Sequence, residues 1–291
     1  MMGNYFAILT CRNSENSIQK ALTSLKEQTL TPKYVIVIDD GSSDKTPEIL
    51  RKIQMEWSND LYIITNPDLG YNIGRVVSNW NKAIKFAQQK NLQETDYHLI
   101  CTDDIVFEKK YAENIIVNMD SNPDIAIASG NFDENVHVAP HGAGRLVRNS
   151  FFFKNHGLYP EKMGYESLIL HTAARAGYTY AVFHNVRFKH TRNLGNNHNF
   201  YEFGASMRTL GYHPLFALYR CLVYFISGKP IGRIGALYML YYYLIYRPKK
   251  EGYDSMYDIE FRKYIREHQL RRVKSLSGKK IYNMVIKRMK I

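Results

Sequence analysis

The sequence has few cysteines, no segment built for secretion and no apolar run long enough to span a bilayer. The three cysteines among its 291 residues, Cys11, Cys101 and Cys221, are scattered and odd in number. We therefore expect neither a disulfide framework nor a cysteine metal site, and a reducing compartment. The first residues lack a basic region followed by an apolar core, so we expect no signal peptide. Internal repeats and low-complexity linkers are also absent from the sequence.

Acidic residues are the minority charge, and the imbalance lies mostly at one end of the chain. Lys and Arg number 39 against 27 Asp and Glu, a net charge of +12. Residues 247–291 hold 14 of the cations and 5 of the acids, a net of +9, which leaves +3 for residues 1–246. A basic tail of this kind suits nucleic acid, an anionic membrane surface or simply a solvated helix.

Strand and helix signals alternate over the first ~200 residues, a pattern typical of an α/β fold with a mainly parallel sheet flanked by helices. The predicted strands are 7–10, 35–38, 61–65, 97–101, 124–129 and 178–182, with further strand or edge structure at 146–148 and 151–153. The predicted helices begin at 18 and 46 and cover 76–87, 108–119 and 165–176.

The composition changes after about Gly204. Leu215–Ile226 is apolar except for Arg220, and Ile234–Tyr246 contains no charged residue. Both stretches are shorter than the ~20 residues that span a bilayer. We therefore predict two domains, 1–205 and a helical C-terminal region, 206–291. Its tyrosine-rich helices suit the membrane–water interface, although packing as ordinary helices is the other possibility.

Acidic side chains follow two of the predicted buried strands. Asp39 and Asp40 end the first of these strands before a Gly-Ser turn, and Asp103 and Asp104 follow Thr102 at the end of the second. Ligands of open α/β sheets bind outside the carboxyl ends of the strands, so both pairs are expected at a binding crevice. The alternative is a pair of turns with solvated acids.

The order and spacing of these segments closely resemble the start of family 2 glycosyltransferases, whose nucleotide-sugar-binding fold is called GT-A. The resemblance extends over about two thirds of the chain. The segments that carry it are the loop 11–16, Asp39–Ser42, Asn66–Gly70, Trp80–Ala83, Thr102–Asp104, Gly164–Glu166 and His190.

This resemblance implies a donor site. In the family, the residues that match Asp39 and Asp40 meet the nucleotide, and Asp40 could accept a hydrogen bond from a base N–H. Thr10 and Arg12, just after the first strand, could line the same pocket, although Arg12 is equally well explained as a surface cation. Asp103 is expected at the ribose or in the metal shell.

The resemblance also implies a divalent cation, Mn²⁺ or Mg²⁺, that offsets the charge of the departing diphosphate. Thr102-Asp103-Asp104 stands where the family carries its Asp-x-Asp motif, with Thr in place of the first acid. We expect Asp104 to bind the metal, with Asp103 beside it. His190 is expected to complete the site, as a His often does in the family, although a lone His is more often structural.

A general base is the remaining requirement of an inverting transfer. Aligned through Ala176-Gly177-Tyr178, Glu166 falls at the family's base position, with Glu in place of the usual Asp and Tyr165 in place of the preceding acid. The alternative is that Glu166 is a first-turn acid favoured by the helix dipole.

The function expected on these grounds is an inverting, metal-dependent transfer of a sugar from a nucleotide diphosphate sugar to a glycan or lipid-linked acceptor. The expected setting is surface polysaccharide synthesis, peripheral at the cytoplasmic face of an anionic membrane, with no nucleic acid partner. Two alternatives are a nucleotidyltransferase-like enzyme and a non-catalytic nucleic-acid-binding protein. The first would need glycine and several cations in the loop 11–16, which holds only Arg12. The second does not explain acids at two strand ends.

Overall fold

The computed structural model describes residues 2–275 except 58–59, 91, 93, 134–136, 138, 193–199 and 230. The chain divides into two compact units. The first consists of Met1–Pro160 and Ile169–Asn193, and the second of Glu161–Leu168 and Leu194–Ile291.

The first unit is built on an eight-stranded sheet. Its strands are β1 (Tyr5–Cys11), β2 (Val35–Asp39), β3 (Leu61–Thr65), β4 (Tyr97–Thr102), β5 (Ile105–Phe107), β6 (Ile125–Asn131), β7 (Arg145–Arg148) and β8 (Thr179–His190). They are ordered β3-β2-β1-β4-β7-β6-β8-β5 in the sheet. The first four in that order run parallel, whereas β7 is antiparallel to both of its neighbours. The α/β fold expected from the alternating pattern is confirmed.

Helices cover this sheet because each presents an apolar stripe to it. They are α1 (Ile18–Lys26), α2 (Thr46–Glu56), α3 (Arg75–Gln89), α4 (Tyr111–Ser121) and α5 (Asn149–Asn155). In α1, Ile18, Leu22 and Leu25 recur at helical spacing and are fully buried. Pro47 lies in the first turn of α2, where its missing N–H has no intrahelical partner to lose.

Two local predictions differ from the structure. Residues 151–153, predicted as strand or edge, lie in α5. Asn149 is the first residue of that helix, and its buried side chain is hydrogen-bonded to Thr95 and His98. These tertiary contacts override the β-propensity of three phenylalanines. The helix predicted from residue 108 begins at Tyr111, since residues 105–107 pair with β8 as β5.

Strand register places the predicted strand-end residues at one edge of the sheet. Thr10 of β1 is opposite Ile38 of β2 on one side and Thr102 of β4 on the other, and Cys11 is opposite Asp39. The acids that follow β2 and β4 therefore flank the end of β1. On the far side of the sheet, β5 pairs with β8 so that Ile105 is opposite His190.

The second unit is helical. It contains α7 (Tyr201–Thr209), α8 (Pro214–Ser227), α9 (Gly232–Ile245), α10 (Ile259–Ser275) and the first four residues of α6 (Tyr165–Arg175). Its core consists of Leu168, Met207, Leu210, Tyr212, Ala217, Cys221, Met239, Tyr243, Tyr257, Phe261 and Ile265. Among the described residues, the structure contains no helix with the length and apolar character needed to cross a membrane.

Candidate functional site

Asp39 ends β2 with a fully buried carboxylate. Its Oδ1 accepts hydrogen bonds from the backbone N and the hydroxyl of Ser42, at 3.0 and 2.6 Å. Its Oδ2 is buried with no hydrogen-bond partner. A buried acceptor without a partner costs roughly 1–3 kcal/mol, so the oxygen is a natural place for a donor group of a ligand.

Gly41 brings the turn after β2 into direct contact with the loop after β3. Its φ is +69°, and a Cβ at this position would lie 2.6 Å from Cα of Asp68 and 2.8 Å from the carbonyl oxygen of Pro67. Only glycine fits both the backbone conformation and this space. The turn and the loop therefore form one wall beside Asp39 and Asp40.

Asp40 is held by groups from this loop and the following helix. Arg75 Nε donates to both carboxylate oxygens, at 3.0 and 3.1 Å, and Asn66 donates to Oδ1 at 3.1 Å. Burial by itself raises the pKa of Asp40, but the hydrogen bonds from Arg75, Asn66 and Asn79 bring it below its usual range. Arg75 was not predicted; the only sequence signal for it is its place between the family-like segments Asn66–Gly70 and Trp80–Ala83.

Arg12 ties the first loop to the same wall. Its guanidinium donates to Asp68 at 2.6 Å, to the carbonyl of Gly41 at 3.0 Å and to the carbonyl of Asp40. Arg12 therefore already has hydrogen-bond partners in the protein, on this wall. Thr10, in β1, is nearly buried between the ends of β2 and β4.

Asp103 and Asp104 differ in their surroundings. Asp103 accepts from the hydroxyl of Ser14 and from Arg192, the latter at 2.7 Å. Asp104 accepts from Thr102 Oγ1 at 2.6 Å and lies 3.0 Å from Nδ1 of His190. Both carboxylates are buried, and neither Ser14 nor Arg192 was predicted.

The two carboxyl groups have opposite pKa shifts. Burial raises the pKa of Asp103, an effect that Arg192 and Ser14 only partly offset. Burial also acts to raise the pKa of Asp104, but the hydrogen bonds from His190 and Thr102 outweigh it and lower the pKa to about 2. Asp104 is therefore a carboxylate at every physiological pH.

His190 presents a ring nitrogen to the site. When its Nδ1–H is donated to Asp104, the lone pair of Nε2 remains available, and Nε2 is buried with no hydrogen-bond partner. A carboxylate on one ring nitrogen and a metal on the other is the usual arrangement of a metal-ligating histidine. The ring of His141 lies 5.5 Å away, and burial lowers its pKa to about 4, so the neighbouring imidazole adds no positive charge near neutral pH.

These groups fit a divalent cation that takes its other ligands from phosphate oxygens. Across the described part of the chain, no group of three or more His, Cys, Asp and Glu side chains is arranged to hold a metal ion. Mg²⁺ and Mn²⁺ sites that serve phosphates usually rest on one or two carboxylates, with substrate oxygens completing the shell. The carboxylate of Asp104, which has a low pKa, and the unpartnered Nε2 of His190 are donors of the kinds that such a cation takes.

Glu166 belongs to the second unit. It is exposed in the first turn of α6, after Gly164, whose φ is +86°. Glu202, in the first turn of α7, has its pKa raised by burial and by the negative charge of Glu166. The two carboxyl groups are thus electrostatic neighbours, and Glu202 is a candidate that sequence reasoning missed. Of the predicted site residues, the structure gathers Thr10, Arg12, Asp39, Asp40, Asp103, Asp104 and His190 in the first unit.

Comparison with known sequences identifies similar proteins. The profile of the family described as glycosyl transferase family 2 matches residues 6–184. The poly-beta-1,6-N-acetyl-D-glucosamine synthase of Staphylococcus aureus (strain MSSA476) is 28% identical over 124 residues, which cover 43% of this chain and 27% of the synthase. The synthase of Staphylococcus epidermidis matches to the same extent. This chain thus spans about a quarter of the length of the curated relatives it matches.

Comparison with solved structures identifies the same fold. S. aureus TarS 1–349 in complex with UDP-GlcNAc has a TM-score of 0.53 at 19% identity, with 83% of this chain and 71% of that chain covered. The mannosyltransferase PcManGT from Pyrobaculum calidifontis, in complex with GDP-Man and Mn²⁺, has a TM-score of 0.58 at 14% identity. That match covers 96% of this chain and 77% of the mannosyltransferase.

Proposed function

The chain belongs to glycosyl transferase family 2, and from that premise we propose that it transfers a sugar, with inversion, from a nucleotide diphosphate sugar to a glycan or lipid-linked acceptor. We propose surface polysaccharide synthesis as the setting, and the relatives named poly-beta-1,6-N-acetyl-D-glucosamine synthase support it. We assign the catalytic role to residues 1–205 and membrane association to residues 206–291.

One observation carries the proposal. Two buried polar atoms without hydrogen-bond partners, Asp39 Oδ2 and His190 Nε2, belong to the first unit, where acids end the strands on either side of β1. A fold does not leave such atoms unsatisfied without cost, and a nucleotide diphosphate offers a partner to each. Its base or ribose donates N–H or O–H groups, and a cation bound to its phosphates would find a donor in His190 Nε2.

The nucleotide of the donor is proposed to bind at the wall formed by the turn after β2 and the loop after β3. Asp39 offers a free acceptor, and Asp40 remains ionised because Arg75 and Asn66 hold it. Arg12, paired with Asp68, ties the first loop to this wall, and Thr10 lies in β1 just before that loop. These side chains bind and orient the nucleotide without moving a proton.

The diphosphate leaving group is proposed to bind near Asp104 and His190, with Asp103 at the ribose or the metal. Asp104 and His190 would hold Mn²⁺ or Mg²⁺, and such a cation neutralises the charge that develops on the departing diphosphate. Arg192, donating to Asp103, is a further cation close to these carboxylates. Asp104 hydrogen-bonds Nδ1 of His190, on the opposite side of the ring from Nε2. For both residues to bind one cation, Asp104 would exchange this hydrogen bond for the metal.

Glu166 is the proposed general base. Its carboxylate takes the proton of the acceptor hydroxyl as that oxygen attacks the anomeric carbon, which inverts the configuration there. Glu202 carries the raised pKa of the pair, and it keeps a proton to higher pH than an isolated glutamic acid.

We also propose that the protein is peripheral at the cytoplasmic face of an anionic membrane. The basic excess of +9 over residues 247–291 supports this location. A lipid-linked acceptor would then be met at the same surface.

The test is a thermal-shift screen of UDP-, GDP- and dTDP-sugars, each with and without Mn²⁺. A ligand that binds only the native state raises the apparent melting temperature, so one base should give a shift that Mn²⁺ enlarges. Absence of a shift with all donors, with or without Mn²⁺, contradicts the proposed function. The donor that shifts is then offered with acceptors to measure transfer.

A further inference from the structure

Two helices of the second unit are apolar on the outside as well as on the inside. On α8 the exposed large hydrophobic side chains recur at spacings of three and four, and the same is true of α9. They are Leu215, Leu218, Leu222, Phe225 and Ile226 on α8, and Ile234, Leu237, Tyr238, Tyr241, Leu244 and Ile245 on α9. The opposite sides of the two helices are buried, at Ala217 and Cys221 and at Met239 and Tyr243. We call the eleven exposed side chains the α8–α9 face.

This concentration is unusual within the molecule. Of the eighteen exposed large hydrophobic side chains in the described parts of the chain, eleven are in the α8–α9 face, and most of the others are single residues on separate elements. Exposed apolar residues that occur singly are normal on a protein surface, whereas a contiguous set marks a surface that contacts something apolar. A surface helix of a water-soluble protein normally has a polar outer side, which α8 and α9 lack.

The charges around the face identify the apolar partner. Residues 203–250 contain no Asp or Glu and seven Lys or Arg. Lys229 and Arg233 are exposed at the connection between α8 and α9, and Arg247 is exposed just after α9. An apolar face with cations at both ends and no acid is complementary to an anionic bilayer, where the cations meet phosphates and the apolar side chains enter the acyl region.

The carboxyl end of α9 offers a place for a phosphate headgroup. A cavity of about 320 Å³ lies there, beside Ile245 of the α8–α9 face. Its lining is tyrosine-rich and cationic: Tyr201, Tyr242, Ile245, Tyr246, Arg247, Lys249 and Asp254. Lys249 is paired with Asp254 at 3.2 Å, which leaves Arg247 as the cation for an incoming anion. Tyrosine hydroxyls and an arginine are typical of the headgroup region.

Helix length fixes the mode of contact. Both α8 and α9 have 14 residues and are therefore about 21 Å long, less than the ~30 Å of a hydrocarbon core. We propose that the α8–α9 face lies in the plane of an anionic bilayer, with its cations on lipid phosphates. This deepens the proposed membrane association by naming its surface, and it does not depend on sugar transfer.

The first experiment is sedimentation with vesicles of phosphatidylglycerol or of phosphatidylcholine, without any sugar donor. We expect binding to the anionic vesicles, and we expect Ile234→Ser/Leu237→Ser/Leu244→Ser to weaken it tenfold or more. The matched control is Met55→Ser/Val117→Ser/Ile259→Ser, which removes three side chains of similar exposure, 83, 47 and 75% against 69, 55 and 66%. Circular dichroism checks that both variants fold. Equal binding by the two folded variants overturns the proposal.

The charge component has its own variant. Lys229→Gln/Arg233→Gln/Arg247→Gln should lose binding mainly at low salt, whereas the equally charged Lys52→Gln/Lys85→Gln/Lys90→Gln should not. Light scattering is measured on the same proteins without vesicles. If the wild type is a dimer that the α9 triple variant makes monomeric, and no vesicle binding is seen, the face is an interface between two copies and the proposal is wrong. Vesicle binding without donor binding would contradict the proposed function alone.

Discussion

At the scale of single residues, the account depends on which buried polar atoms lack a partner. His190 Nε2 and Asp39 Oδ2 are two such atoms, and both belong to residues singled out from the sequence. Asp104 is different, because both of its oxygens already have partners from Thr102 and His190. We therefore expect Asp104 to act both as a charge and as the group that orients His190.

Replacing Asp104 should remove function without unfolding the protein. Asp104→Ala deletes the carboxylate of low pKa and releases His190, so we expect transfer and the Mn²⁺-dependent part of donor binding to be lost. Circular dichroism should be unchanged. The exposed Asp124, after α4, provides the matched control, Asp124→Ala, with normal activity expected. Full activity of Asp104→Ala, with Mn²⁺-dependent binding retained, would contradict the assignment of Asp104 to the metal site.

The general base has a separate signature. Glu166→Gln keeps the size of the side chain but cannot accept a proton, so turnover should fall roughly 10²-fold or more while donor affinity is kept. Glu202→Gln is the informative comparison, since Glu202 is the electrostatic neighbour with the raised pKa. A larger loss of kcat for Glu202→Gln than for Glu166→Gln would move the base to α7.

At the scale of elements, the turn after β2 and the loop after β3 act as one piece. Gly41→Ala places a methyl group against the backbone of Asp68, at a φ that alanine also disfavours. We expect it to cost about 2–4 kcal/mol of the free energy of unfolding, the sum of overpacking and a left-handed backbone. Gly70→Ala is the matched control: its φ is +73°, yet no atom lies within 4 Å of the added Cβ.

Comparison of the two variants separates the cost of the left-handed backbone from the cost of the contact with Asp68. Gly70→Ala should cost about 1–2 kcal/mol in urea unfolding, the backbone component alone. Gly41→Ala should also weaken donor binding, because it displaces the wall that holds Asp39 and Asp40. Equal losses of stability in the two variants would mean that the contact with Asp68 contributes nothing.

Sequence patterns predicted the elements whose local and tertiary preferences agree. Leu61–Thr65 was predicted as a strand with the bounds that the structure has, since β-branched residues lie between clear turns. The strand-end acids were found because one buried strand precedes each pair. Residues 151–153 were predicted wrongly, because an aromatic run is ambiguous without knowledge of what Asn149 contacts. The short β5 could not be predicted, since three residues gain their strand only by pairing with β8.

The site residues that were not predicted are those whose partners lie far away in the sequence. Arg75, Ser14 and Arg192 reach Asp40 or Asp103 from segments distant in sequence, and a lone cation or serine gives no periodic signal. Glu202 lies on α7, and the packing of the second unit sets the position of that helix. The roles carried over from the family resemblance remain predictions for every one of these residues: Thr10, Arg12, Asp39, Asp40, Asp103, Asp104, Glu166 and His190.

At the scale of the whole molecule, buried neutral histidines should set the acid limit of stability. Burial lowers the pKa of His98, His141 and His156 to about 4. In the unfolded chain these groups bind protons near pH 6.5, so between pH 6.5 and 4 the unfolded state holds more protons than the folded state. Stability is therefore full above pH 6.5 and falls as the pH drops through that window.

His98 gives this effect a single-residue test. The ring is fully buried and contacts Asn149 and the hydroxyl of Tyr159, at 2.6 and 2.7 Å, so its share of the loss is up to about 3 kcal/mol. Urea unfolding from pH 7.5 to 4.5 should show a smaller pH slope in His98→Gln than in the wild type. The exposed His184→Gln should keep the wild-type slope. An unchanged slope in His98→Gln would assign the acid sensitivity to other groups.

Whether His190 helps to hold a cation on a bound nucleotide is tested by calorimetric titration of the nucleoside diphosphate of the best donor. It is titrated into the wild type and into His190→Gln, with and without Mn²⁺. We predict that Mn²⁺ strengthens binding by the wild type at least tenfold. We predict no such gain for His190→Gln, whose affinity without metal stays close to the wild-type value. Equal strengthening by Mn²⁺ in both proteins, or no binding by the wild type, would contradict this prediction.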